Sequence, residues 1–252
     1  MRLRLSILGA GNVGGHLAKA FLTVEGVEVV QLYNRTPERL DTFRGMLPVT
    51  SRLDGLAPAD VYLISVSDAA IPDVSRSLPP EALWLHTSGS TPMEVLQNVR
   101  IGVLYPLQTF SRDHQPDFSR VPFCIEARNA GDMEIIRRLA SLLSEDVREM
   151  SSPRRLKLHI AAVFANNFTN YLWEIARRLG EESGMDFDIL YPLLDETLAK
   201  IKRMPPDKAQ TGPARRGDAV TVDKHLRLLE GTDRKIYKML SEIIANEYGK
   251  EL

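Results

Sequence analysis

The sequence of 252 residues predicts an α/β fold, in which a doubly wound, mostly parallel sheet precedes an all-helical C-terminal domain. Short β-rich runs alternate with segments of helical spacing up to about Met150, which is typical of a sheet covered by helices. After Ser151-Ser152-Pro153 the strand-like runs stop and only helical patterns remain. We therefore place a sheet domain over residues 1–150 and a helical domain over residues 153–252.

The strands of the first domain are predicted from their apolar and β-branched content. The runs that begin at Val61 and Ile101 are almost wholly apolar, as expected for strands buried on both faces. The predicted strands are Leu3–Leu8, Val27–Tyr33, Val61–Val66, Ala82–His86, Ile101–Tyr105, Val121–Ala127 and Val147–Met150. The segments of helical spacing between them are Val13–Val24, Pro37–Met46, Pro92–Asn98, where Thr91 and Glu94 form a capping box, and Asp132–Ser144.

The helical domain is predicted to begin with one long helix, from about Pro153 to Gly180. Between Leu158 and Trp173 this helix is apolar on nearly every face, which predicts burial on more than one side, as a hub helix or as a dimer core. Further helices are predicted at Phe187–Arg203, Ala219–Leu229 and Thr232–Tyr248, with Asp218 as the N-cap of the second.

Composition excludes several classes of protein. The 32 Lys and Arg residues nearly balance the 33 Asp and Glu residues, which argues against a nucleic-acid binder. No apolar run approaches the roughly 18 residues that a membrane span requires, and the N-terminus lacks targeting features. With one cysteine, Cys124, and five scattered histidines, we expect a cytoplasmic protein without a metal site.

A glycine motif, Gly9-Ala10-Gly11-Asn12-Val13-Gly14, lies between the first strand and the first helix. In this context the spacing is typical of a dinucleotide-binding loop. Gly9 makes the tight turn, Gly11 lets a pyrophosphate approach the backbone, and Gly14 allows the helix to pack closely on the strand. The alternative is a tight turn that binds no ligand.

The end of the second strand indicates which dinucleotide binds. Tyr33-Asn34-Arg35-Thr36 stands where an NAD-binding site usually has a carboxylate for the ribose 2′-hydroxyl. A guanidinium in that place favours a 2′-phosphate, so we predict NADP held by Asn34, Arg35 and Thr36. The alternative is that Arg35 is a solvated surface residue and Thr36 only caps the following helix.

Polar side chains follow three other strands at the edge where such sheets bind ligands. We predict that Ser67 and Ser88 contact the cofactor, and that Tyr105 and Gln108 form a substrate wall. Asp68 is either a helix cap or a ligand. His86 is a candidate catalytic residue, although a lone histidine is commonly a core residue.

The long helix of the second domain carries a polar stripe. At about 100° per residue, Asn166 and Asn170 fall within roughly 20° of His159. Polar groups on an apolar helix are costly without partners, so we predict that this face looks into the cofactor cleft. His159, assisted by Asn166, is the candidate acid–base residue, and Asn170 is a candidate substrate contact. Hydrogen bonding between helices or across a dimer interface is the alternative.

A loop further on, Thr211-Gly212-Pro213-Ala214-Arg215-Arg216-Gly217-Asp218, combines a rigid turn with two guanidiniums. Arg216 is the candidate for holding an anionic group of a substrate. Pairing with acidic residues of the first domain is the alternative.

These segments together resemble a known family over nearly the whole chain. Carrying the resemblance are Gly9–Gly14, Asn34–Thr36, His86–Ser90, Tyr105–Phe110, Leu158–Phe168 and Thr211–Asp218. The family consists of Rossmann-like NADP-binding oxidoreductases with a C-terminal domain of unknown function, and it is related to 6-phosphogluconate dehydrogenase and pyrroline-5-carboxylate reductase. The resemblance implies an NADP-dependent enzyme and a homodimer formed through the helical domain.

One departure narrows the chemistry. The related hydroxyacid dehydrogenases carry a catalytic Lys and, one turn later, an Asn on the long helix, whereas here Lys157 is followed at that spacing by Ala161. We therefore expect hydride transfer involving a small polar carbonyl or imine, with the cofactor cleft between the domains. The alternative function is an NADP-binding sensor or assembly protein without turnover.

Overall fold

A computed structural model describes residues 2–252, which form two compact units that divide after Asn167. The first unit contains the whole sheet and the helix that follows it, and the second, Phe168–Leu252, is helical. The predicted boundary at residues 150–153 marks the end of the sheet, but the first compact unit continues for one more helix. That helix stays with the first unit because a buried ion pair attaches it to the sheet, as described below.

The first unit is built on one eight-stranded sheet with the order β3-β2-β1-β4-β5-β6-β7-β8. All pairs are parallel except β6 with β7, which are antiparallel and place Tyr105 opposite Cys124. The strands are β1 (Leu3–Leu8), β2 (Val27–Tyr33), β3 (Val49–Thr50), β4 (Val61–Ile64), β5 (Leu83–His86), β6 (Ile101–Pro106), β7 (Phe123–Ala127) and β8 (Val147–Glu149). The predicted fold class, a doubly wound and mostly parallel sheet followed by helices, is confirmed.

Burial explains why these segments form the centre of the sheet. Every residue of β4, β5 and β6 is buried, because helices or long connections cover both faces. The chain runs outward from β1 to β3 and then returns to β4 on the other side of β1. This reversal creates a crevice at the carboxyl ends of β1 and β4, where doubly wound sheets bind ligands.

The helices of the first unit are α1 (Asn12–Leu22), α2 (Ile71–Ser75), α3 (Ala130–Ser141) and α4 (Ser152–Ala162). The predicted helix at Pro92–Asn98 is wrong: only Met93–Val95 form a short 3-10 turn, and the predicted capping box does not form. The segment from Pro37 likewise forms a 3-10 helix that ends at Phe43, and Thr36 makes no side-chain cap. The short strand β3 was not predicted.

A π-helical turn, Val163–Phe168, follows α4. It replaces the regular α-helical repeat in the long helix that the sequence predicts from Pro153 to Gly180. Because each π turn holds more residues than an α turn, the angular spacing of side chains changes there.

The second unit contains α5 (Thr169–Glu182), α6 (Tyr191–Arg203), α7 (Pro206–Ala209), α8 (Pro213–Arg216), α9 (Ala219–Leu228) and α10 (Gly231–Glu247). The predicted cap of α9 is confirmed, since Asp218 accepts a hydrogen bond from the Thr221 amide at 3.0 Å. Large apolar side chains remain exposed on α6 and α10, including Leu193 and Ile243. Among the helices of residues 2–252, none is long and apolar enough to cross a membrane.

Candidate active site

A cleft of about 980 Å³ opens at the carboxyl ends of the central strands. All of its lining residues belong to the first unit. It brings together most of the residues predicted for the site: Gly9, Gly11, Asn12, Val13, Asn34, Arg35, Thr36, Ser67, Ser88, Tyr105, Gln108 and His159. The sequence therefore located this cleft through residues at or just after the ends of five strands and on two helices.

The three glycines of the loop differ in what surrounds them. Gly9 has φ +117°, and a Cβ there would lie 2.1 Å from the carbonyl oxygen of Ser65. A Cβ on Gly14 would lie 2.0 Å from the Gly9 oxygen, whereas a Cβ on Gly11 would meet nothing within 4 Å. Gly9 and Gly14 are thus required by the turn and by helix packing, and Gly14 is buried behind the loop without lining the cleft. Gly11 leaves the space in front of the α1 N-terminus open.

Asn34 connects the glycine loop to the end of β2. Its Oδ1 accepts a hydrogen bond from the Ala10 amide, and its Nδ2 donates to the Thr36 oxygen, both at 2.9 Å. Both ends of the amide are therefore engaged with backbone, which fixes the loop and the strand end relative to each other. Arg35 and Arg39 are exposed beside it along the cleft.

Asp68 forms the acidic side of the cleft. Its Oδ2 accepts hydrogen bonds from the hydroxyls of Ser88, at 2.9 Å, and Ser90. It forms no N-cap interaction with the short turn that it begins, so the capping interpretation is not supported. Burial raises its pKa, but the hydrogen bonds from Ser90, Ser88 and Thr91 outweigh that effect and hold the pKa below its ordinary value.

Tyr105 and His159 meet in the cleft. The Tyr105 hydroxyl lies 3.1 Å from Nδ1 of His159, and the rings pack edge to face with centroids 6.0 Å apart. Burial, and next the neighbouring Cys124, raise the pKa of Tyr105 to about 12, so the phenol keeps its proton at neutral pH. Gly89 packs against this pair: a Cβ there would lie 2.6 Å from Nδ1 of His159 and 2.7 Å from Cζ of Tyr105.

A buried ion pair holds the helix that carries His159. Arg155, one turn before His159 on α4, is 1% exposed and pairs with Glu126 on β7. Its Nη2 also donates to the Thr91 oxygen at 2.6 Å. Ser152 adds to the attachment by donating its amide and hydroxyl to Glu126 at 2.8 and 2.7 Å. These bonds explain why α4 belongs to the first unit and how His159 reaches the cleft.

His86 does not reach the cleft, so its predicted catalytic role is not supported. It is fully buried at the end of β5, where its Nδ1 accepts a hydrogen bond from the Ser88 amide at 3.1 Å. Burial, and next the charge of Arg155, lower the pKa of His86 to about 4, which keeps the ring neutral. His86 is therefore a buried core histidine, which was the alternative to a catalytic role.

The predicted polar stripe rested on regular α-helical spacing from His159 to Asn170, which a π turn interrupts. Asn166 lies in the π turn, is exposed and does not line the cleft, because the π turn breaks the 100° spacing that aligned it with His159. Asn170 and Arg216 belong to the second unit, and both are exposed there. Arg216 lies 4.0 Å from Asp218, which is a weak surface pair.

Three features of the site were not found from the sequence. Gly89 was noted only as a member of the His86–Ser90 segment, and neither Arg155 nor Arg112 belongs to a motif. Gly89 and Arg155 contact residues that are distant along the chain, and Arg112 lines the cleft. The available hint for Arg155 was a charge beside the apolar stretch of the long helix. Within the described residues, no group of three or more His, Cys, Asp or Glu side chains is arranged to hold a metal ion.

Sequence profiles of two protein families match the chain. The profile described as NADP oxidoreductase, coenzyme F420-dependent, matches residues 4–86, and the domain of unknown function DUF2520 matches residues 121–244. No curated protein sequence matches.

Solved structures resemble the chain over nearly its full length. A candidate NADP oxidoreductase from Bacteroides fragilis is 36% identical, with a TM-score of 0.89 over 97% of this chain and 98% of that chain. A protein from Thermotoga maritima is 21% identical, with a TM-score of 0.73 over 97% and 98%. An imine reductase from Myxococcus stipitatus, solved with NADP⁺, is 16% identical, with a TM-score of 0.65 over 98% and 93%. The last two show a shared fold.

Proposed function

The chain belongs to the family that joins an NADP oxidoreductase domain of the coenzyme F420-dependent type to the DUF2520 domain, and we propose that it is an NADP-dependent enzyme transferring a hydride to or from a small polar carbonyl or imine. The observation that carries this proposal is the Tyr105–His159 pair. It lies in the same cleft as the glycine loop and the arginines at the end of β2.

The glycine loop fits a dinucleotide. The open space at Gly11 faces the first turn of α1, whose N-terminus has no side-chain cap. Uncapped amides and the helix dipole favour a diphosphate at that place. A Cβ on Gly11 would enter this open space without touching any protein atom, so folding does not require a glycine there. This supports a ligand in that space over a turn that serves folding alone.

The end of β2 supports NADP over NAD. Arg35 and Arg39 line the cleft beside Thr36, and no carboxylate occupies the 33–36 segment that the structure describes. Guanidiniums bind phosphate through charge-assisted hydrogen bonds, and a 2′-phosphate supplies the acceptor oxygens. The Myxococcus imine reductase structure, which contains NADP⁺, adds support from a related fold.

The bound dinucleotide would supply or accept the hydride. A carbonyl or a neutral imine would then take the phenolic proton of Tyr105 at the oxygen or nitrogen that becomes an alcohol or amine, whereas an imine that is already protonated needs no further proton. His159 would return a proton from Nδ1 to Tyr105 and take one from solvent at Nε2, which leaves the imidazole as its other neutral tautomer. Loss of the Nε2 proton to solvent and uptake of one at Nδ1 would then restore the starting pair. The high pKa of Tyr105 keeps the proton in place until a more basic group arrives.

The acidic side of the cleft favours an imine over a carboxylate-bearing substrate. Asp68 is held ionised by hydroxyl donors, and a protonated imine would be attracted to it, whereas an anionic substrate would be repelled.

We further propose that the protein is a cytoplasmic homodimer formed through the helical unit. Leu193, Ile189 and Ile243 are each more than half exposed, and a second copy of the helical unit would cover such apolar side chains. A sensor or assembly protein without turnover is the second candidate. Its support is that neither member of the Tyr105–His159 pair belongs to a recognised catalytic motif.

Titration with NADPH and NADH tests the cofactor assignment. We expect the wild type to prefer NADPH and Arg35→Ala to lose most of that preference. Arg52→Ala is the matched control, because Arg52 is an exposed arginine that pairs with Asp54 and does not line the cleft. If neither dinucleotide binds, the proposed function is rejected.

Turnover is tested by screening small carbonyls and imines for NADPH oxidation. Activity that His159→Ala abolishes supports the enzyme. No turnover with any substrate, together with a change in oligomeric state when NADPH binds, supports the sensor.

A further inference from the structure

The loop that follows β6 folds back over the first turns of α1. Asn12 donates its Nδ2 to the Phe110 oxygen at 2.9 Å, and Nε2 of His16 lies 2.7 Å from the Ser111 oxygen. The His16 ring also stacks on Phe110, with centroids 5.9 Å apart. Two consecutive carbonyl groups of the loop are thus fixed to α1 by two side chains one turn apart.

These contacts determine where the next residue, Arg112, lies. Ser111 and His114 form an antiparallel bridge, so Arg112 and Asp113 occupy the tip of a tight turn. Arg112 is exposed, and its guanidinium forms no salt bridge or hydrogen bond with the other described residues. A long cationic side chain is therefore held at a fixed point of the loop with its donors unused.

The residues that line two cavities show where Arg112 lies relative to the glycine loop. Arg112 lines the main cleft and also a second cavity of about 520 Å³ on the outer side of α1. Gly11, Asn12 and Arg39 line the same two cavities. Arg112 therefore lies near the N-terminus of α1, on the loop that Asn12 and His16 hold there.

We infer that Arg112 binds the diphosphate of the dinucleotide, closing the phosphate site on the side that the glycine loop leaves open. This inference rests on the proposed function, because it assigns a further residue to the same cofactor site. The diphosphate is favoured over the 2′-phosphate because Asn12 and His16 fix the loop that carries Arg112 to the first turns of α1, whereas Arg39, which lines the same two cavities, belongs to the segment that follows β2. The 2′-phosphate is already matched by Arg35 and Arg39 at the strand end.

Binding measurements with Arg112→Ala test this assignment. Since the diphosphate is common to both dinucleotides, we expect the Kd for NADPH and for NADH to rise by a similar factor, roughly tenfold or more for a lost charge-assisted bond. Arg112→Lys should recover part of the loss. Arg120→Ala is the matched control, since Arg120 is an exposed arginine of the same connection and lines neither cavity.

The outcomes separate this inference from the proposed function. Wild-type binding with an unchanged Kd in Arg112→Ala overturns the inference and leaves the function standing. A loss confined to NADPH also overturns it, because that result assigns Arg112 to the 2′-phosphate. Absence of binding by the wild type overturns both. A similar loss for both dinucleotides, with Arg120→Ala unchanged, establishes Arg112 as a diphosphate contact.

Discussion

The hydroxyl of Tyr105 lies 3.1 Å from Nδ1 of His159, although 54 residues separate the two in the chain. Tyr105 is fixed by the sheet, and His159 is fixed by a helix that a buried ion pair attaches to the same sheet. The pair is therefore held rigidly from two directions, which is what proton transfer at a defined point requires.

Removing the phenol should slow turnover without weakening cofactor binding. For Tyr105→Phe we expect kcat to fall on the order of 10²-fold, as for other lost general acids, with the Kd for NADPH unchanged. Tyr62→Phe is the matched control, because the Tyr62 hydroxyl is buried and donates to the Ala57 oxygen away from the cleft. Steady-state kinetics with an active imine or carbonyl would measure kcat, and titration with NADPH would measure the Kd. Equal kcat values for Tyr105→Phe and the wild type would show that Tyr105 is not the proton donor.

The loop glycines should respond differently to the same substitution. Gly14→Ala puts a methyl group against the Gly9 oxygen and should lower the free energy of unfolding by several kcal/mol. Gly11→Ala meets no protein atom, so stability should hold while NADPH binding is lost. Thermal unfolding and cofactor titration of the two variants would show this contrast. Undiminished NADPH binding by Gly11→Ala would mean that no ligand occupies that space.

Removing one member of the buried Arg155–Glu126 ion pair should lower the free energy of unfolding strongly. Arg155→Met leaves Glu126 without its partner and should cost about 3–5 kcal/mol in urea unfolding. Adding Glu126→Gln should restore part of that loss, because the uncompensated charge disappears. Arg148→Met, which breaks an exposed pair with Asp146, should cost no more than about 1 kcal/mol. Similar costs for the buried and exposed pairs would contradict the described role of Arg155.

His86 should make stability depend on pH. Its pKa is lowered to about 4 in the folded protein, so the unfolded chain binds a proton more readily below pH 6.5. The stability that neutral His86 provides is complete above pH 6.5 and is lost as the pH falls from 6.5 towards 4. Between pH 7.5 and pH 5, the wild type should lose about 2 kcal/mol more than His86→Asn in urea unfolding. Parallel pH profiles for the two proteins would show that His86 does not titrate in this way.

Local patterns predicted most of the fold. The runs at Leu3–Leu8 and Val27–Tyr33 form strands with those bounds, and Asp218 caps its helix, because neighbouring residues alone determine these features. Pro92–Asn98 forms only a 3-10 turn, and the amide of Met93 donates to Ser152 from a distant segment. Long-range contacts of this kind cannot be read from a local pattern.

The sequence predicted the site residues that lie at strand ends. It did not predict those whose positions depend on packing between distant segments. The glycine loop and Arg35 follow strands and Tyr105 lies at the carboxyl end of one, so their shared edge was predictable. His159 reaches the cleft on a helix that Arg155 attaches to the sheet, and Asn166 lies in a π turn that no local pattern predicted. His86 is the last residue of β5 and is buried in the core, and alternation cannot predict which side chains of a strand buried on both faces reach the cleft.

The antiparallel pairing of β6 with β7 places Tyr105 opposite the chain's one cysteine, Cys124, which is 1% exposed. A thiol reagent can reach this sulfur only when the two strands separate or the unit unfolds. The rate at which Cys124 is alkylated under native conditions therefore reports the opening free energy of the strand that carries the phenol. Cys124 is thus a built-in probe of the local stability of β6 and β7, which can be measured with and without a bound dinucleotide.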